Sequence, residues 1–571
     1  MIIKNLGPIS EDDLAKRSHK EILPWIIKLK SEKRISEVIS PLKGLVVTED
    51  ILDYTNFHLL KSKQNIIRRY FESEGPVSIE TICEKFSISD SESESILSAL
   101  YTNNEIVKGE FIKDSPKTFW CNRDNFAQLY RRAISIRRSQ ITGVKRNIYL
   151  RFLLNWHGIS GQKQTIDVLI NRYQGYTLPP YFFEREILST RLENSKTIGR
   201  SIQSDHFKDY ILNGGIIVQC HKNSADSRVL IKFLQRGDGN IFDDQRDNTE
   251  DGMTADSKTI YQFLKENGAS HFQDIESATD MTPIQIRDIL QQIVRKGLIT
   301  TDNYDSFLSL IGSDQKQSNQ TRRRSSRHTL RQNVHNQILV KSGRWFLTSS
   351  FAVMGKKIPI EERLERQARL LLQRYGILVK EFYRRESDFL PWYQLFQVLK
   401  RMEWQGEIRR GYFIEGLSGI QFALPQAIEL LASLPEKDVS GDSAIICTMD
   451  PALPFGGNIN WELKNDLGQQ IDIKRAFGNH LVFYHEKPVI YSENFGHRLL
   501  TLNSFKNKYL ENIIHSFKYW LHLPDQIRPR KKIEIKLIND RRAIDSVLAA
   551  IFYKFGFERE GTSIVLWPSG L

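Results

Sequence analysis

Residues 409–425 read RRGYFIEGLSGIQFALP. Aromatic and β-branched residues flank a tip of Gly416, Leu417, Ser418 and Gly419, a composition that favours two short strands around a turn. The segment is therefore predicted to be a β-hairpin with Arg409 and Arg410 at its base. Upstream, IEERLERQARLLLQRYG places Leu364, Ala368, Leu371, Leu372 and Tyr375 at spacings of three and four, one apolar helical face closed by Gly376. ILVKEFYRRE reads as a short second helix. LPWYQLFQVLKRMEWQG reads as a third, with Trp392, Leu395, Phe396 and Leu399 on one stripe. Three helices followed by a hairpin make a winged helix, a variant of the helix-turn-helix.

The pattern recurs. QNIIRRYFESEGPVSIETICEKFSISDSESESILSALYTNNEIVKGEFIKDSPKTFWCN has the same order of helices and strands, and SKTIYQFLKENGASHFQDIESATDMTPIQIRDILQQIVRKGLITTDNYDSFL is a further copy. NLGPISEDDLAKRSHKEILPWIIKLKSEKRISEV follows the pattern without its first helix, as if the unit were incomplete or continued from upstream. Irregular spacing between copies predicts tandem domains and not a solenoid. The expected organisation is a partial winged helix at 1–60, a winged helix at 61–121, a helical region at 122–240, a winged helix at 257–311, a basic linker at 312–340, a winged helix at 341–432 and an α+β domain at 440–571. In that last domain, HLVFYHEKPVIYSEN is expected to be a hairpin turning at Glu486 and Lys487, and RRAIDSVLAAIFYKFG an amphipathic helix. The fold class is mainly α with small sheets.

The charge points to a partner. Lys and Arg number 81 against 68 Asp and Glu, a net charge of +13 with a pI near 9.3, a balance that favours a polyanion. The four cysteines, Cys83, Cys121, Cys220 and Cys447, lie far apart with no C-x-x-C pair, so neither a zinc site nor a disulfide framework is indicated. No signal peptide and no apolar run of about 18 residues appear, and the expected location is the cytoplasm, with no membrane partner. No G-x-x-x-x-G-K-[ST] segment or D-E-x-[DH] partner is present, so ATP hydrolysis by these residues is not expected. Nor is any H-E-x-x-H or metal-spaced His/Cys cluster, and no cofactor is expected.

What remains is the chemistry of nucleic-acid recognition. A winged helix places its third helix in the major groove and its wing on the backbone or minor groove, which assigns Lys400, Arg401, Arg409 and Arg410 to phosphates and Tyr412 to stacking. Arg384 and Arg385 follow the second helix. Arg131, Arg132, Arg137 and Arg138 lie on a predicted helix, and Arg322, Arg323 and Arg324 in the polar linker could lie along phosphates. Trp156 is a candidate for stacking on a base, against the alternative of a core tryptophan. Winged helices also serve as protein–protein adaptors, so a scaffold remains the competing reading.

The segments GRWFLTSSF, RLERQARLLLQRYGILVKEFYRRE, LPWYQLFQVLKRMEWQGEIRRGYFIEGLSGIQFALP, DPALPFGG and LVFYHEKPVIYSENFGHRLLTL occur in an order that closely resembles the C-terminal half of the bacterial large helicase-related (Lhr) proteins. Upstream, FWCNRDNFAQLYRRAISIRR, YLRFLLNWHG and VLINRYQGYTLPPYFFEREILSTRL resemble that family's DEAD/H-associated region. The resemblance runs from about residue 65 to near the end and implies part of a superfamily 2 DNA helicase acting in DNA repair on single-stranded or forked DNA. The family's two ATPase lobes have no counterpart in these residues, so a helicase ATPase core is the implied partner. The extension is also similar to winged-helix DNA glycosylases, which release damaged bases such as uracil. In those, a Q-x-[QD] motif positions or activates water at the sugar carbon. GYTLPP stands in its place here, with Thr177 and Pro179 at the two polar positions. Proline cannot activate water, so on this correspondence base release would need another carboxylate, with Glu184, Glu186 and Asp450 as candidates.

Overall fold

Three times along the chain a short strand between the first two helices pairs with the last strand of a hairpin, and this repeated pairing organises the architecture. The computed structural model describes residues 3–4, 8–16, 22–39, 42–112, 117–139, 143–192, 200–221, 229–242, 252–311, 340–417, 419–434, 443–457, 459, 461–524 and 527–570. The chain divides into two units, Met1–Gln140 and Ile141–Leu571.

In the first unit, helices Glu11–Lys16 and Leu23–Ser31 lead into an antiparallel pair, Ile35–Val38 with Gly44–Val47. Ile9, Leu14, Ile26, Ile35 and Leu45 form its small core. A complete winged helix follows, with helices Leu60–Ser73, Ile79–Phe86 and Asp90–Thr102. Ser78 and Ser89 start the second and third helices by accepting hydrogen bonds from the backbone N–H of Thr81 and Glu92, which satisfies donors the helix cannot use. Strand Phe119–Asn122 runs between Val77–Ser78 and Ile106–Gly109. Helix Arg123–Ser139 packs on these strands and completes the unit, so the first boundary of the expected 122–240 region falls instead at Gln140.

The second unit begins with helices Arg146–Trp156 and Ile166–Tyr173, a π-helical turn Phe183–Leu188 and helix Arg200–Leu212. It then forms a strand pair, Ile216–Cys220 with Ile231–Gln235. The region is thus not purely helical. Every residue of Ile216–Cys220 is buried, so the polar–apolar alternation that marks a half-buried strand is absent.

The next winged helix comprises helices Ala255–Asn267, Phe272–Ala278 and Pro283–Arg295, the last opened by a reciprocal Thr282–Gln285 capping box. Its sheet extends beyond the expected boundary at residue 311. Strand Ile299–Thr301 pairs with Arg344–Leu347, which lies between it and Ser270–His271. GRWFLTSSF therefore completes this winged helix and does not open the next. The helix Tyr304–Ile311 and residues 312–339 stand between two strands of one sheet. Trp345, fully buried, belongs to the same core as Phe272, Ile286 and Leu290.

The following winged helix has helices Ile360–Tyr375, Lys380–Tyr383 and Trp392–Trp404, and strand Gln421–Ala423 lies between Ile377–Leu378 and Arg409–Gly411. Gly376 ends the first helix at φ 68°, a left-handed conformation glycine adopts without a Cβ penalty. The hairpin strands are shorter than the sequence suggests. Phe413 and Ile414 are buried, the Gln421 side chain bonds both backbone groups of Ile414, and Val144 bridges Ile414 in parallel. One edge of the wing is therefore occupied by the chain itself.

A six-stranded sheet carries the C-terminal domain, in the order Ala444–Cys447, His480–Tyr484, Lys487–Glu493, Arg498–Thr501, Leu537–Ile538, Arg541–Arg542. Helix Asn507–His522 covers it with Leu510, Ile513, Ile514, Phe517 and Trp520. The turn residues His485 and Glu486 have positive φ, as a tight hairpin requires. RRAIDSVLAAIFYKFG is α-helical only over Ala549–Lys554, with a 3-10 turn at Ala543–Asp545. Its arginines pair with Leu537–Ile538 across a turn at Asn539 and Asp540, both at positive φ. Among the described residues no helix is long and apolar enough to cross a membrane.

Candidate nucleic-acid interface

Helix Trp392–Trp404 turns Leu395, Val398, Leu399 and Met402 into the core. A helix advances about 100° per residue, so Tyr393, Gln397, Lys400 and Trp404 form one outward stripe on the opposite side. Tyr393 is 67% and Trp404 57% exposed, Gln397 is exposed, and Lys400 is half-buried. Arg409 and Tyr412 are exposed on the adjoining hairpin, Tyr412 at 66%. Aromatic, amide and cationic groups thus alternate on the helix that a winged helix presents to a groove. Tyr393, Gln397 and Trp404 were not singled out from sequence, although their helical phase, one face away from the apolar stripe, was there to be read.

The other basic candidates divide. Arg410 is ion-paired at 3.1 Å to the buried carboxylate of Glu403, so its charge is committed to the protein. Arg401 pairs with Glu365 at 2.5 Å, both exposed; such surface pairs contribute about 0–1 kcal/mol and leave Arg401 open to a competing phosphate. Arg384 is exposed. Arg385 is withdrawn from the candidates, because it donates to the carbonyls of Leu453 (2.8 Å), Pro454 (2.9 Å) and Gly456 (3.2 Å). Burial and the neighbouring Arg475 push its pKa down to about 10. With Arg475, which donates to Met449 and Leu453, it holds the DPALPFGG loop. Arg131 and Arg132 are exposed on their helix in the first unit. The side chains of Arg137 and Arg138, and residues Arg322, Arg323 and Arg324, lie outside the described residues.

Trp156 is half-buried and packed against the core, its indole engaged by the protein itself. Its indole N–H donates to the Gln373 carbonyl at 3.0 Å, its ring stacks on Phe152 at 5.7 Å, and Arg172 covers it at 5.4 Å.

The three candidate carboxylates are buried. Asp450 is 1% exposed and pairs at 2.6 Å with Arg191, itself fully buried. Its other oxygen accepts from the Ala452 N–H. Burial opposes ionisation of Glu186, but His480 at 3.4 Å and Arg185 at 3.0 Å outweigh it and lower its pKa. Burial raises the pKa of Glu184, outweighing the opposing effect of the Tyr304 hydroxyl beside it. A group sealed from solvent in this way cannot reach a nucleotide without opening the core, so the geometry does not place these acids at a substrate.

A different acid lies near Thr177. The hydroxyls of Thr177 and Ser387 are 2.5 Å apart. The next residue, Asp388, is held at 2.5 Å by Lys232 and at 3.5 Å by His221, with a quarter of its side chain exposed. Burial works against its charge, but the His221 and Lys232 interactions outweigh it and hold the carboxyl well below the usual range. Pro179 is buried. Nothing local in the sequence marks this cluster, since its members come from three separate segments.

Residues 358–443 match the winged-helix domain of the large helicase-related proteins, which is the segment that carries the exposed stripe and hairpin. The chain is similar to Lhr proteins over most of its length. It is 23% identical over 495 residues, 81% of its length, to the Lhr helicase/probable uracil glycosylase of Mycolicibacterium smegmatis (strain ATCC 700084 / mc(2)155). It is 22% identical over an alignment of 613 positions, 97% of its length, to the Lhr helicase/uracil glycosylase of Escherichia coli (strain K12). It spans about a third of each, 32% and 38% respectively. The Lhr winged-helix match includes Tyr393, Gln397, Lys400, Trp404, Arg409 and Tyr412.

Proposed function

We propose that this chain is a DNA-binding module of the Lhr type that acts in DNA repair, with the ATPase motor supplied outside these residues. The observation that carries the reading is the exposed stripe of Tyr393, Gln397, Lys400 and Trp404 with Arg409 beside it, on a winged helix of Lhr type. Lysine and arginine neutralise phosphates and release counterions, while the helix side chains meet base edges. The test is fluorescence anisotropy with single-stranded, duplex and forked DNA. A set of six or more phosphate contacts loses on the order of a thousandfold in affinity between about 50 and 200 mM salt. Arg409→Ala should weaken binding and reduce the salt slope by about one, whereas Arg410→Ala should act chiefly on stability. Absence of binding at low salt would sink the reading and favour a scaffold for a helicase core.

A second reading, base release, is favoured by the likeness to two relatives named as known or probable uracil glycosylases and by the Asp388, Lys232, His221 and Thr177 cluster. A carboxylate kept ionised at neutral pH could stabilise developing positive charge at the sugar carbon or orient a water there. On this reading uracil-containing DNA yields an abasic product with the wild-type chain and none with Asp388→Asn. Equal base release by both would remove Asp388 from the role.

A further inference from the structure

Beside the winged helix, an open cleft of about 460 Å³ is lined by Arg146, Trp461, Glu462, Leu463, Lys464 and Asn503. We propose that it holds one unpaired nucleotide of single-stranded DNA, with the base stacked against Trp461. The inference rests on the DNA-binding reading and gives it a second, strand-specific contact.

Four observations support it. The volume lies within the range of roughly 300–1,000 Å³ that encloses small ligands and leaves no room for a base pair with its two backbones. The Trp461 ring is set in place by Tyr149, stacked at 6.1 Å and 23°, and by Phe455 at 5.5 Å, so little freedom is lost when a base packs on it. Arg146 lies 5.7 Å over the same ring, on which a base seats by displacing its guanidinium toward the phosphate, and it donates at 2.7 Å to the Gly416 carbonyl at the wing tip. The cleft is therefore continuous with the hairpin. Lys464, exposed, makes no ion pair among the described residues, and the Asn503 N–H donates to its carbonyl at 2.9 Å, fixing the two walls together.

The chemistry is that of single-strand recognition: an aromatic platform tolerant of sequence, cations for the phosphate and a polar edge. Glu462 cannot face a phosphate favourably; it would accept a hydrogen bond from an exocyclic amine, as on cytosine or adenine. The predicted preference is for these bases over thymine at the seated position.

The experiment uses the full chain and two probes: an oligonucleotide carrying one 5-iodocytosine in a single-stranded stretch, and an unmodified duplex. Photocrosslinking followed by peptide mapping should place the adduct on Trp461. Trp461→Ala should lower single-strand affinity by about 5- to 150-fold and leave duplex affinity within about twofold, while Trp461→Phe retains most of it. Lys464→Glu, which leaves the aromatic packing untouched, should weaken single-strand binding as well. A wild-type chain that binds single strands, with Trp461→Ala and Lys464→Glu binding them equally well, overturns the inference and leaves the winged-helix reading standing. A wild-type chain that binds neither probe at low salt overturns both.

Discussion

Arg191 and Asp450, at 0% and 1% exposure and 2.6 Å apart, show what the buried charges of this chain do. Their mutual attraction offsets the cost of removing both from water, and neither charge is tolerable alone. Asp450→Asn is expected to cost about 3–5 kcal/mol, read as a lower urea midpoint, since a buried guanidinium would lose its counter-charge. Asp388 behaves differently because it titrates. Its folded-state pKa is depressed, so its contribution is present above the unfolded carboxylate value of about 3.9 and is lost as pH falls through that value toward the folded one. Urea midpoints followed downward from about pH 5 should therefore drop less steeply in Asp388→Asn than in the wild type; parallel curves would contradict the assignment. Sequence showed Asp450 as an acid but not that it faces a buried cation, because Arg191 and Asp450 are 259 positions apart.

At the scale of the element, much was legible. The apolar positions Leu364, Ala368, Leu371, Leu372 and Tyr375 are all buried as their spacing requires, and Gly376 closes that helix. A Cβ at Gly376 would come within 2.7 Å of Phe152 and 2.9 Å of Trp156. Gly376→Ala is thus expected to destabilise by about 1–3 kcal/mol, through the left-handed backbone and the overlap together. Thermal unfolding measures this, and an unchanged midpoint would mean that Phe152 and Trp156 can give way. The hairpin at 409–425 was legible in kind but not in extent. Phe413 and Ile414 read as alternating strand residues, yet both turn inward because residues 143–146 dock beside them. That neighbour is more than 260 positions away, and local propensity carries no information about it.

The whole molecule places its boundaries where the sheets close. Each of the two units has its own core, so a fragment ending at Gln140 is expected to unfold cooperatively on its own. A fragment of residues 252–311 should not, since it lacks strand Arg344–Leu347 and leaves the core without Trp345. One of residues 252–354 restores both. Circular dichroism melts of the two fragments decide the matter: a cooperative melt of the shorter one would show that the strand is dispensable.

Periodicity, capping residues and turn glycines are local, and from them the sequence alone determined the winged-helix order and the mainly α class with small sheets. Pairing between distant segments depends on which surfaces remain to be buried after the helices form, which no window of sequence contains. Tertiary structure alone therefore decided that Arg344–Leu347 belongs to the preceding sheet, that Trp156 and Arg385 are spent on packing, and that Arg146, Trp461 and Lys464 line one cleft.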